Sequence, residues 1–98
     1  VSAHEHWVDG SALRSKRATL DAIAEALDFP EYSGRNLDAL FDCLVDLSWL
    51  PEGEHVLVWS GADALAEADP RAHRGIRSVL ADATERTAGT ERPFRFTT

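Results

Sequence analysis

Pro30-Glu31-Tyr32-Ser33-Gly34-Arg35-Asn36-Leu37-Asp38-Ala39-Leu40-Phe41-Asp42-Cys43-Leu44 is the most informative stretch of this 98-residue chain. Residues 31–35 read as a loop, with Gly34 in it and Tyr32 on it. A helix is predicted from about Asn36 to Ser48, stopped by Pro51-Glu52-Gly53. Asn36 is the expected N-cap, and Asp38 in the first turn suits the positive end of the helix dipole. Leu37, Leu40, Leu44 and Leu47 follow a 3-4-3 spacing and form one apolar stripe towards the core. At about 100° per residue, Asp38, Asp42 and Val45 share the opposite side, flanked by Phe41 and Asp46. An ordinary outer face is polar throughout, whereas this one mixes carboxylates with an aromatic and a branched aliphatic residue. Like charges there repel, so the face makes sense if a basic partner covers it. The competing reading is that Phe41 packs on a neighbouring helix and the aspartates are ordinary solvent-facing charges.

Outward from this helix, the chain alternates strand-like and helix-like segments. His4 to Asp9 reads as a short strand closed by Gly10. Leu20, Ile23, Ala24 and Leu27 recur at helical spacing within Ser15–Leu27, with Asp28-Phe29-Pro30 as the stop. His55 to Trp59 is apolar on both faces, as a buried central strand should be. Gly61 to Ala68 fits a short helix. Arg71 to Thr87 fits a longer one, with Ile76, Val79, Leu80 and Ala83 on one face and Gly89 at its close. Pro93 to Thr97 reads as a last strand on which Phe94 and Phe96 share a face. The order β-α-α-β-α-α-β predicts an α/β domain spanning residues 1–98, with a small three-stranded parallel sheet packed by helices.

Composition narrows the function. With 44% hydrophobic and 28% charged residues, the chain should form a compact globule. Its 17 acidic and 10 basic side chains leave a formal charge of -7. That sign argues against direct binding to nucleic acid and suits a cationic protein partner, although mild acidity also serves solubility alone. Cys43 is the single cysteine. It can form no intramolecular disulfide, and with no apolar leader or spanning segment the expected compartment is the reducing cytoplasm, away from membranes.

The run from Tyr32 to Leu44, Tyr-x-Gly-x-Asn-Leu-Asp-Ala-Leu-aromatic-Asp-Cys-Leu, is long, ungapped and chemically unusual. It resembles the signature segment of the barstar family of ribonuclease inhibitors. The resemblance implies a three-stranded parallel sheet packed by helices, and a helix and entry loop that plug the active site of a secreted, basic, guanyl-specific ribonuclease in a one-to-one complex. Carried over, Tyr32 and Asn36 belong to the entry loop and cap. Asp38 and Asp42 meet the enzyme's catalytic cations, with Asp42 in the place of a substrate phosphate. Glu85 adds a peripheral acidic contact, beside Ser78 and Asp82 on the same solvent side. Phe41, Val45 and Asp46 complete the binding face. A rigid carboxylate would satisfy cations gathered for phosphate without a further ordering cost.

Several positions depart from the family pattern. Ser33 stands where the family has a second tyrosine, Phe41 where it has tryptophan, Val45 for threonine, Leu47 for a later interface tryptophan, and Arg35 for an acidic residue. These departures point to a related but different ribonuclease. Trp49 either replaces the lost aromatic, if the helix continues past Ser48, or belongs to the core.

Other constellations are bland. His4 and His6 would share one face of a strand, but no cysteine or nearby carboxylate completes a metal site, and His55 and His73 are remote in sequence. Cys43 has no flanking cation and reads as an inert, half-buried thiol. No cofactor motif is present. The expectation is therefore a non-enzymatic inhibitor, monomeric when free. The alternatives are an immunity domain against a different toxin, or a small hydrolase using Asp38 and Asp42.

Overall fold

The computed structural model describes residues 3–98. Its elements are β1 (His4–Asp9), α1 (Lys16–Ala26), α2 (Leu37–Asp46), β2 (His55–Ser60), α3 (Asp63–Ala68), α4 (Pro70–Thr87) and β3 (Phe94–Thr97). The three strands form one parallel sheet in the order β1-β2-β3, with His4 opposite His55 and His55 opposite Phe94. The α/β class and the order of elements match the periodicities. β2 lies in the centre because it alone is apolar on both sides. Val8, Leu57, Trp59 and Phe94 from the sheet meet Leu20, Ile23, Leu40, Leu44, Ile76 and Leu80 from the helices in one core. Glu5, Trp7, Arg95 and Thr97 are exposed. No helix among the described residues is long and apolar enough to cross a membrane.

Side chains define where the helices start. Ser15 Oγ accepts from the Ala18 amide at 3.1 Å, Asn36 Oδ1 from Ala39 at 2.8 Å, and Asp69 Oδ1 from Ala72 at 3.1 Å. Each cap satisfies an amide with no partner inside the helix, which contributes about 1 kcal/mol. Pro70 opens α4 one residue before the predicted start, because a first-turn position needs no N–H bond and suits a fixed φ. The turns leaving β1 and β2 lie against each other. A side chain at Gly10 would come within 2.7 Å of the Ser60 carbonyl, and one at Gly61 within 2.7 Å of the Ser11 amide. Only glycine fits that contact.

α2 ends at Asp46, two residues before its predicted end. Leu47 turns into the left-handed region at φ 49° while its side chain stays buried. That conformation costs about 1–2 kcal/mol for a non-glycine residue. Burying the leucine side chain offsets it, at about 1.5–3 kcal/mol. The early exit decides the place of Trp49, whose Nε1 donates to the Leu27 carbonyl at 2.9 Å and whose ring meets Phe29 edge-on at 5.9 Å. Trp49 thus ties the end of α2 to the end of α1 and does not extend the acidic face.

Candidate functional site

α2 and α4 pack side by side and leave an open groove of about 520 Å³ between them, lined by Leu37, Asp38, Phe41 and Asp42 from α2 and by Val79 and Asp82 from α4. A second hollow continues along α4 past Phe41, Asp82, Glu85 and Arg86. The floor is apolar. Leu37, Phe41 and Val79 are half-buried and packed on the rim of the core. The walls are acidic, since Asp38, Asp42, Asp82 and Glu85 are all exposed. Among the described residues none of these four forms an ion pair.

The wheel geometry explains this mixture. Leu40 and Leu44 face inward and are buried. Phe41 stands between that stripe and the carboxylates, so it reaches both the core and the groove. The expected solvent-facing aromatic is therefore a wedge in the seam between two helices. Leu37, expected in the core stripe, is half-buried at the groove instead, where its Cδ1 would lie 3.2 Å from any Cβ at Gly75. Glycine at that position lets the start of α2 approach α4 closely. Val45 is half-buried against the core rim, one turn beyond Phe41. Asp46, the last residue of α2, is exposed and accepts from Ser48 Oγ at 3.2 Å.

The loop before α2 is braced. Arg35 donates through Nε to Asp21 on α1 at 2.9 Å, and through a terminal nitrogen to the Ser33 carbonyl and hydroxyl at 3.1 and 3.0 Å. Its side chain is only 26% exposed. Two departures from the family pattern, Ser33 and Arg35, are thus bonded to each other, and the arginine charge is turned away from the groove. Tyr32, beside this brace, is 91% exposed. Asn36 uses its oxygen on the cap of α2, so its role in the fold is explicit. Cys43 is half-buried. Burial is the main cause that pushes its thiol above the ordinary cysteine range, with Asp42 and Asp46 adding to it and the Ser33 contact and Arg35 opposing it.

The structure brings Asp38, Phe41, Asp42 and Glu85 together along one seam. Tyr32, Asn36, Val45 and Asp46 lie around it without lining it. Leu37, Val79 and Arg86 join the site without having been singled out for it, and Asp82, named only as a solvent-side neighbour of Glu85, lines it too. Asp82 and Glu85, three apart on the exposed side of α4, were visible in the sequence, but nothing there said that α4 runs beside α2. The groove is open, acidic at its walls and apolar at its floor. Such a surface suits a cationic partner that also carries aliphatic or aromatic area.

Residues 3–98 match the family model described as Barstar (barnase inhibitor). The chain is also 46% identical over 44 residues to a protein of Bacillus subtilis (strain 168) named "Putative ribonuclease inhibitor YrdF". That alignment covers 45% of this chain and 48% of the other protein, about half its length.

Proposed function

The chain belongs to the barstar family, and from that premise we propose that it inhibits a basic, secreted, guanyl-specific ribonuclease by seating the α2–α4 seam in the enzyme's active site. The observation that carries this reading is a set of exposed carboxylates that form no ion pair among the described residues, set around an apolar floor. Asp38 and Asp42 stand on a capped helix, so little freedom is lost when they bind. Their charges sit where an enzyme built to hold phosphate would present arginine, lysine and histidine groups, and Asp42 takes the place of a phosphate. Phe41 and Val79 supply the contact area between the charges, with Asp82 and Glu85 on the far wall. The inhibitor acts inside the producing cell as a monomer, one per enzyme.

The inward turn of Arg35 and the replacement of tyrosine by Ser33 support a target other than barnase itself, because the loop presents Tyr32 without a second aromatic. Hydrolysis by the carboxylates is disfavoured. Catalysis needs a pocket that encloses the substrate, and Asp38, Asp42 and Asp82 are all exposed along an open groove. The test is titration of the purified chain against a panel of basic extracellular bacterial ribonucleases, read by RNA cleavage and by the mass of the complex. Stoichiometric inhibition by the parent chain, lost in Asp38→Ala/Asp42→Ala, is the expected result. Equal inhibition by both proteins would remove the seam from the interface.

A further inference from the structure

His4 and His6 project from β1 towards His55 on β2. Ring centroids lie 4.7 Å apart for His4–His55 and 5.2 Å for His6–His55. His55 is fully buried and His6 partly so. Both nitrogens of His6 and both of His55 have partners. His6 Nδ1 is 3.1 Å from the Ala26 carbonyl, His55 Nε2 is 2.8 Å from the Pro51 carbonyl, and His6 Nε2 is 2.9 Å from His55 Nδ1. A carbonyl oxygen can only accept, so His6 Nδ1 and His55 Nε2 must both carry hydrogens. A neutral imidazole has one hydrogen. Two neutral rings would then have none left for the central contact, and two lone pairs would face each other at 2.9 Å. Three contacts need three hydrogens, which two rings hold only with one net positive charge.

We propose that the His6–His55 pair binds a single proton in the folded protein, held between His6 Nε2 and His55 Nδ1, as a pH-sensitive clamp joining the end of α1 to β1, β2 and the loop leaving α2. The clamp lies at the joint that Trp49 also spans, since Leu27, which accepts from Trp49, follows Ala26 directly. The groups facing the pair are His4, stacked on His55 with its Nε2 3.4 Å from the Glu52 carbonyl, and Asp28 just past α1. Glu54, next to β2, is engaged by Arg95 at 3.3 Å. Burial is the main cause that holds the His6 pKa below 6.5. The Ala26 carbonyl opposes it, the charges of His55 and His4 reinforce it, and Asp28 opposes it more weakly. Burial thus opposes charge on the pair, so the shared proton rests on the three hydrogen bonds, and the like charge it brings resists a second proton.

The sign of the pH dependence follows. Unfolded histidines titrate near about 6.5. Below that pH the unfolded chain takes two protons on these rings and the folded pair keeps one, so stability falls as pH falls. Above it the unfolded rings hold none and the folded pair still holds one, so stability falls as pH rises, until the shared proton leaves. A one-proton difference changes the folding constant by up to about tenfold per pH unit. The clamp therefore contributes most near neutrality.

The test combines ring-nitrogen NMR of the full chain between pH 5 and 9 with urea unfolding of the parent and His6→Gln over the same range. Near neutrality the expected count is three ring hydrogens over His6 and His55. The parent's folding constant relative to His6→Gln should pass through a maximum and drop on both sides. Two hydrogens over the two rings at pH 6.5, or a parent advantage that rises steadily with pH, would overturn the proposal. If His6→Gln does not fold, the hydrogen count in the parent decides.

Discussion

Asp42→Asn should make the free protein more stable and the inhibitor worse. Asp42 lies four residues from Asp38 and four from Asp46 on one helix, and all three are exposed. No ion pair among the described residues offsets them. Like charges at this spacing cost about 0.2–0.5 kcal/mol per pair, so removing the central one relieves about 0.4–1 kcal/mol. For a domain of this size that raises Tm by a few degrees. The gain should shrink as salt screens the charges. Binding should move the other way, by about 2–5 kcal/mol or more, because the enzyme's phosphate-site cations would be left buried beside a neutral amide. The scale of that loss owes much to the barnase–barstar complex, a family relative, and is carried over from it. Thermal unfolding at two salt concentrations and calorimetric titration of the cognate ribonuclease measure both halves. A variant that is less stable, or that inhibits as well as the parent, would refute the reading of Asp42 as a charge held in reserve for a partner.

Phe41→Ala should cost about 1.5–2.5 kcal/mol of stability, roughly half the loss for a fully buried aromatic, and should also weaken inhibition. Urea unfolding beside inhibition assays checks it, and a full core-sized loss with inhibition intact would place Phe41 in the core alone. Association with the enzyme should be fast at low salt and slow steeply as salt rises, while dissociation changes less, as a chain of charge -7 meeting a basic partner requires; stopped-flow rates indifferent to salt would exclude a cationic partner. Because burial raises the Cys43 thiol, its alkylation should reach half its limiting rate above about pH 8.5, the value for a free cysteine. The folded state prefers the thiol there, so Cys43 contributes stability at neutral pH that is lost as pH rises past that point, and an alkylation midpoint at or below 8.5 would contradict its half-buried setting.

Local periodicity and capping were enough to place all seven elements in order, the Asn36 cap of α2, and the mixed acidic and apolar face of that helix. These follow from 3.6-residue and two-residue repeats and from the hydrogen-bonding needs of helix ends, all of which act within one or two turns of chain. The run from Tyr32 to Leu44 also carried the family. Contacts between elements had no such local signature. That Asp82 and Glu85 face Asp38 and Asp42 depends on α4 docking beside α2, which Gly75 permits by letting Leu37 approach. Arg35 read as a reversed charge at an interface, yet Asp21, fourteen positions earlier, draws it inward. Trp49 became structural because Leu47 leaves the helix early and Leu27, the residue that caps α1, offers a carbonyl at that point. His55 seemed too far from His4 and His6 in the chain to matter. Parallel pairing of β1 with β2 sets His4 opposite it, and the inward-facing alternation of the strands brings His6 onto the same face, so long-range register supplied the neighbours that sequence distance had hidden.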